Sequence, residues 1–448
     1  MPQLLGPPGF FHVPRRQGLW RWSAFLPWFF FGALSFAQIE GSAGDTATKP
    51  FFATVAIREG YDSNPLTESY QSGQGIAGST YTSIQPSLGY NYTGLQADLA
   101  LRYDFSGTYF PALSLNYDIQ YAQTLVGRWT YAIDPRLSIT LADNFLYTEQ
   151  PIVDLVTVGI TPLFNTSTIN NLATAEAAYR LTDRLSMVTR WNNTLVYVGG
   201  SGSAVSNYMN NGAFQQFRLD FTPETVGTFS FDYQLYDYDS DQFTYKDNQQ
   251  ASFSFGADHT FLPELFFSGR AGFQLNDNFG LANNPTFVGS GGIGSGKQEL
   301  QADPFASLSA TWNYEERSFV SAGFSVAVQQ TDLATSSDTE AYTLNFNWDH
   351  RFTDKFYVIQ SFFMNLAIFT PQLSASEFAA AGLAGAYQGS GQQTTFSYQF
   401  KFAYDFQPYL AAELGWIYTN FGSYFEVNNS NGQSYNRNQV YLGVRGTY

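Results

Sequence analysis

The chain has 448 residues and no cysteine, and its 21 Lys and Arg against 37 Asp and Glu leave a net charge of −16. Charged residues make up 13% of it, about half the usual share of roughly 25%, while aromatics reach 18% with 43 Phe and 30 Tyr. So many aromatics exclude a disordered chain. A mean hydropathy of −0.20 excludes a bundle of membrane helices, and a pI near 4.5 argues against a nucleic-acid partner.

The N-terminus has the layout of a targeting segment. Arg15, Arg16 and Arg21 precede the apolar stretch Ser23–Phe36, and Ser35-Phe36-Ala37 places small residues at the −3 and −1 positions of a cleavage site. The expected boundaries are a signal peptide over 1–37, a short periplasmic segment over 38–50 and the folded domain over 51–448. Cleavage after Ala37 removes three Arg and no acid, so the mature charge is 18 − 37 = −19.

From Phe51 onward the dominant period is two, the mark of strands with unlike faces. Leu95, Ala97, Leu99, Leu101, Tyr103 and Phe105 share one face, and Gln96, Asp98, Arg102 and Asp104 the other. In Thr395–Phe406 the aromatics at 396, 398, 400, 402, 404 and 406 alternate with Ser397, Gln399, Lys401 and Asp405. The uncharged stretch 356–376 could serve as a membrane helix, but Gln360, Asn365 and Pro371 interrupt it, so it is read as a strand.

Tight connections rich in Pro, Asp and Gly recur at Thr93-Gly94, Asp134-Pro135-Arg136, Thr182-Asp183-Arg184, Thr222-Pro223-Glu224, Leu262-Pro263-Glu264, Tyr314-Glu315-Glu316, Thr353-Asp354-Lys355 and Gln407-Pro408. Longer polar connections lie between them, among them 60–78, 148–166, 277–299, 370–391 and 420–434. Short and long connections alternate in an antiparallel up-and-down transmembrane β-barrel, with short periplasmic turns and longer outer loops. The count is about 18 strands, within 16–20, with 112–133 long enough for two. The even number puts both termini on one side.

After the first strand comes Gly60-Tyr61-Asp62-Ser63-Asn64, which resembles the opening of the β-barrel porins linked to exopolysaccharide export. The turns Leu181–Leu185 and Phe352–Phe356 are similar to that family's turns. The resemblance implies an 18-stranded outer-membrane barrel that works with polysaccharide and periplasmic export components, and it carries over no catalytic residue.

Candidate chemistry is sparse. His259 and His350 fall on the lipid-facing parity just before turns, where a triad has no use for them. Gly291–Lys297 matches the spacing of a phosphate-binding loop, but Gln298 stands where Ser or Thr is needed, so it reads as an outer loop. Asp237, Asp239 and Asp241 alternate at the top of a strand and read as a solvated acidic loop. No catalytic, cofactor or metal site is expected. The inward parity carries charges of both signs, costly in lipid. Arg102, Arg190, Arg218, Asp220, Asp232, Arg270, Lys401 and Glu413 are the expected pore lining, with inward Tyr236, Tyr238, Tyr409 and Tyr441 as candidate sugar-stacking rings. The bland reading of the same charges is a salt-bridged interior that stiffens the wall.

The final strand puts Val440, Leu442, Val444, Gly446 and Tyr448 on one parity. A chain ending on an aromatic resembles the signal read by the barrel-assembly machinery, which makes Tyr448 a candidate assembly residue. Ser374 and Glu377 have capping-box spacing before an Ala-rich run, which predicts a short helix over 375–386. The expected function is a non-enzymatic channel for polar solutes in the bacterial outer membrane, in contact with lipid and lipopolysaccharide. A pore in exopolysaccharide or envelope export, a general diffusion porin and a closed structural or adaptor barrel are the readings left open, and loops 277–299 and 370–391 are the candidate plug or constriction.

Overall fold

The computed structural model describes residues 50–67, 78–113, 118–149, 167–199, 207–238, 246–277, 279, 301–330, 338–370, 389–425 and 434–448. The expected signal peptide, the acidic residues 239 and 241, the phosphate-loop look-alike 291–297 and the Ala-rich stretch 375–386 lie outside them.

The chain is a closed antiparallel barrel of 18 strands, each paired with the next and β18 paired with β1. The first half comprises β1 (Phe51–Asp62), β2 (Ser79–Thr93), β3 (Ala97–Tyr109), β4 (Ile119–Asp134), β5 (Leu137–Thr148), β6 (Thr168–Arg180), β7 (Leu185–Val198), β8 (Tyr208–Thr222) and β9 (Thr225–Tyr238). The second comprises β10 (Asn248–Leu262), β11 (Leu265–Asp277), β12 (Gln301–Glu315), β13 (Ser318–Gln330), β14 (Asp338–Arg351), β15 (Phe356–Phe369), β16 (Gly391–Gln407), β17 (Leu410–Phe425) and β18 (Ser434–Thr447). Every tight connection expected from Pro, Asp and Gly joins two strands at one end of the barrel, and both chain ends of the domain lie there too. Side chains build these turns. Asp134 Oδ1 accepts from the N–H groups of Arg136 and Leu137 at 2.6 and 2.9 Å, and the Thr182 and Thr353 hydroxyls cap Leu185 and Phe356, each at 3.0 Å.

One reading of strand extent differs from the sequence. The long segment 112–133 is one strand that begins only at Ile119. Before it, Phe110, 1% exposed, packs on Tyr81 and Tyr441 from the interior, with Leu113 and Ile417 beside it. The residues from 356 form strand β15 and not a helix, as expected from the polar Gln360 and Asn365 that interrupt the apolar run. Pro304 sits in the part of β12 that pairs with β11 and leaves β13 unpaired, a placement that a residue lacking an N–H tolerates.

Most of the exterior is apolar. Val55, Ile57, Leu88, Leu141, Trp191, Phe255, Leu308, Leu414 and Leu442 all face outward and are 44–67% exposed. Near the tight turns this face gathers rings. Trp348, His350 and Phe352 sit side by side, with Trp348 and His350 stacked 5.6 Å apart and His350 edge-on to Phe352 at 4.4 Å. A belt of aliphatic residues edged by aromatics is the surface that a bilayer covers, and a closed barrel leaves no strand edge unpaired in it.

The seam between first and last strands runs from Thr54–Thr447 to Asp62–Gln439. At its upper end Asp62 is fully buried, and Arg437 donates to its Oδ2 from Nε and an Nη at 2.9 and 2.7 Å. Gln439 Nε2 donates to the same oxygen at 2.8 Å, and Asp62 Oδ1 accepts from the Asn64 N–H at 2.9 Å. Ser63 and Asn438 exchange two further bonds of 2.9 and 2.8 Å. The Tyr61–Asn64 segment singled out in the sequence is therefore the clasp that closes the barrel. Gly60 permits it: a Cβ there would lie 2.4 Å from the Val440 carbonyl and 2.7 Å from the Tyr81 ring.

Candidate functional site: the barrel interior

Strand alternation carries nearly all the charged side chains of the strands inward, so the site is the inner wall. Near the tight-turn end, Glu413 on β17 is 2% exposed and is ringed by cations from three strands. Arg58 on β1 donates to its Oε2 at 3.1 Å, and the Arg445 guanidinium on β18 lies 3.3 Å from its Oε1. Lys401 on β16, 4% exposed, belongs to the same group. Arg445 also donates to the Tyr357 hydroxyl at 2.6 Å, and Arg351 lies 3.8 Å from Asp405 and over the Tyr357 ring. Burying a carboxylate this deeply is tolerable only with such partners.

A second group of charges occupies the wall of β6–β11. Arg190 pairs with Glu176 at 2.7 Å and lies over the Phe214 ring. Arg218 and Arg270 converge on Asp258 at 3.5 and 3.2 Å, and the Ser268 hydroxyl donates to that carboxylate at 2.7 Å. Arg102 is held by Asp104 at 2.8 Å on β3. Asp220 is exposed beside a tight turn. All eight residues expected to line a pore thus sit on the interior parity, but in separate groups on different arcs of the wall, and several are engaged with a neighbouring opposite charge.

Sequence reasoning looked to charge and passed over the amides. Asn192, Asn210, Gln234, Gln250, Gln274 and Asn276 lie inward on β7–β11 with Ser230, Ser252, Ser254 and Asp232, all at most 7% exposed. Register makes them one lattice. Gly212, Gln234, Gln250 and Asn276 face one another across successive strands, and Phe214, Asp232, Ser252 and Gln274 form the next row. Asn210 donates to Gln234 at 2.8 Å, Ser230 and Ser254 share a bond of 2.6 Å, and the Tyr236 hydroxyl bonds Gln234. Several polar atoms of this lattice make no hydrogen bond: both side-chain ends of Asn192, Thr194 Oγ1, Asn210 Oδ1, Asp232 Oδ2, Gln250 Nε2 and Ser252 Oγ. Native interiors rarely leave so many together. The signal that could have found them is the density of Asn, Gln and Ser on one parity of 192–276.

The candidate rings divide. Tyr236, Tyr238 and Tyr441 are buried on the interior, but Tyr441 lies against Gly415 and beneath the Arg58 guanidinium, and Tyr238 lies beneath Lys246. Tyr409 is instead in the tight turn after β16 and 63% exposed. His259 and His350 face outward, bonded to Thr225 and Tyr314 at 2.8 Å each, as an interfacial imidazole should be. Among the described residues no group of His, Cys, Asp and Glu could hold a metal ion.

An apolar, ring-edged exterior and a polar interior on one closed antiparallel wall define a transmembrane β-barrel. Among solved structures the chain is similar in architecture to the FrpB iron transporter of Neisseria meningitidis, with TM-score 0.42 and 10% identity over 89% of this chain and 82% of that one. The siderophore receptor PirA of Pseudomonas aeruginosa gives 0.38 and 10% over 90% and 80%, and OccAB4 of Acinetobacter baumannii gives 0.38 and 9% over 89% and 99%. No family model matches the chain, and no curated protein is similar to it in sequence.

Proposed function

We propose that the chain is a non-enzymatic channel of the bacterial outer membrane that passes uncharged polar solutes. The amide and hydroxyl lattice on the inner face of β7–β11 carries this reading. Amides and hydroxyls both donate and accept, so a wall built of them bonds polar solutes without selecting a charge. A barrel of 18 strands is wide enough that its own side chains need not fill it. Opposite charges paired along the wall leave a weak field, and the acidic excess of the chain tilts it toward cations. The outer membrane follows from the closed, even-stranded wall with short turns at the end that holds both termini.

The finer reading is a pore in exopolysaccharide export, working with periplasmic export components. It rests on the likeness of Gly60–Asn64 to that porin family and on an interior rich in groups that hydrogen-bond hydroxyls. Purified protein in planar bilayers tests the channel itself. The expected result is a steady, weakly cation-preferring conductance that neutral oligosaccharides reduce in a concentration-dependent way. Absence of conductance, both in the intact protein and after deletion of 277–299 and 370–391, overturns the reading and leaves a scaffold. Conductance indifferent to oligosaccharides removes only the export reading.

A further inference from the structure

One sector of the outer wall does not suit lipid. On β5, Asp143 faces outward between Leu141 and Phe145, seventh of the strand's 12 residues. A strand rises about 3.3 Å per residue and tilts by about 40°, so six residues above the tight turn is roughly 15 Å, near the middle of an apolar band about 25 Å tall. The neighbouring strands share the anomaly. Asn171 on β6 donates to Asp143 at 3.2 Å, Asn193 on β7 donates to Asn211 on β8 at 2.9 Å, and Thr189 donates to Gln215 at 2.8 Å. Register shows that all of these stand on the outward parity. Asp143 lies opposite Ala173, which lies opposite Asn193, which lies opposite Asn211, and the exposed Leu141 and Trp191 flank Ala175 on the same face.

Acyl chains offer no hydrogen-bond partner to a carboxylate or amide, so a face like this is costly if lipid covers it. We propose that the outward face of β5–β8 is where a second copy of this chain docks. The chemistry selects a like partner. An amide is donor and acceptor at once, so a patch of Asn and Gln is complementary to itself. The one carboxylate, Asp143, accepts from the Asn171 amide and has no cation within the patch, and amides on the second copy supply further donors. Ala173, Ala175, Ala177 and Ala213 keep the surface low, so two walls can approach closely enough for those bonds to form.

The absence of cysteine from the chain makes the test clean. Ala175→Cys places a single thiol in the middle of the patch, and Leu414→Cys places one on the outward face of β17, far around the barrel. Oxidative cross-linking is performed in native membranes. The expected result is a product of twice the chain mass from Ala175→Cys and none from Leu414→Cys. In lipid nanodiscs the wild-type protein should be oligomeric, and Asp143→Leu should shift it to monomer while the barrel keeps its heat-modifiable gel migration. A monomeric wild type overturns the inference. So do equal products at both thiols, which report random collision, and a product whose mass reveals a different protein.

Discussion

Arg58 on β1 reaches Glu413 on β17 by crossing the intervening strand at Gly443. Gly443 faces Arg58 on one side and Glu413 on the other, and a Cβ there would lie 2.7 Å from Arg58 Cγ and 3.0 Å from the Ile57 carbonyl. The missing side chain is the passage through which the ion pair forms. Gly443→Val should therefore act like Arg58→Gln and lower the temperature at which the barrel loses its folded gel migration. Wild-type behaviour of Gly443→Val with a lowered transition for Arg58→Gln would show that Arg58 takes another route.

The group around Glu413 is asymmetric, with one carboxylate and the cations Arg58, Arg445 and Lys401. Removing one cation leaves the carboxylate served by the others, at a cost of about 1–2 kcal/mol, whereas Glu413→Gln removes the one negative charge that all three share. The expected loss for Glu413→Gln is about 3–5 kcal/mol. Refolding titrations into detergent micelles measure both, and equal losses would refute the arrangement.

The clasp makes a sharper demand. Asp62→Asn leaves Arg437, 8% exposed, without its counter-charge, so the expected loss is again about 3–5 kcal/mol. The pair Asp62→Leu with Arg437→Leu should recover most of it, because a buried ion pair replaced by apolar residues is often neutral. A double variant no more stable than the singles would show that the bonds to Asn64 and Gln439 carry the clasp instead.

Above the wall, burial and the nearby Asp237 carboxylate push the Asp247 carboxyl up to about 6, against a hydrogen bond from the Tyr238 N–H that favours the ionised form. The group holds its proton more tightly in the folded connection than in an unfolded chain. Its contribution is thus fully present below about pH 4 and is lost as pH rises through about 6. Amide exchange at Tyr238 should accelerate over that interval beyond the intrinsic rise with pH, and Asp247→Asn, which keeps the acceptor, should abolish the excess.

Tyr448 is the proposed assembly residue. Its ring is 80% exposed on the outer face, while its backbone exchanges hydrogen bonds of 2.8 and 3.3 Å with Ala53 on β1. Deleting Gly446–Tyr448 should collapse the outer-membrane level of the protein. A Tyr448→Phe variant, which keeps the aromatic, should not. Unchanged levels after the deletion would sink the idea.

What the sequence made legible is what period two encodes. The parity of Leu99 against Arg102, or of Phe402 against Lys401, fixes which face of a strand meets lipid, and Pro, Asp and Thr mark where it turns. Strand β15 was readable by another signal, because Gln360 and Asn365 interrupt the run that a membrane helix would need and a tight turn precedes it. The start of β4 was not readable, since residues 112–118 have nothing local to show that Phe110 turns in to meet Tyr81 and Tyr441 from two distant strands. The charge groups were half legible. Parity places Lys401 and Glu413 on the interior, but closure of β18 on β1 brings Arg58 to them, and no local pattern carries a contact across 355 residues. The amide lattice was missed because Asn, Gln and Ser are uninformative singly and gain meaning only in register.

The clasp also imposes an order on the life of the molecule. Asp62 is made near the start of the domain and Arg437 near its end, so the carboxylate has no counter-ion until almost the whole chain exists. A truncated or stalled barrel would therefore carry a naked charge at an open strand edge. Closure is thus the step at which the carboxylate of the first strand meets its counter-charge on the last.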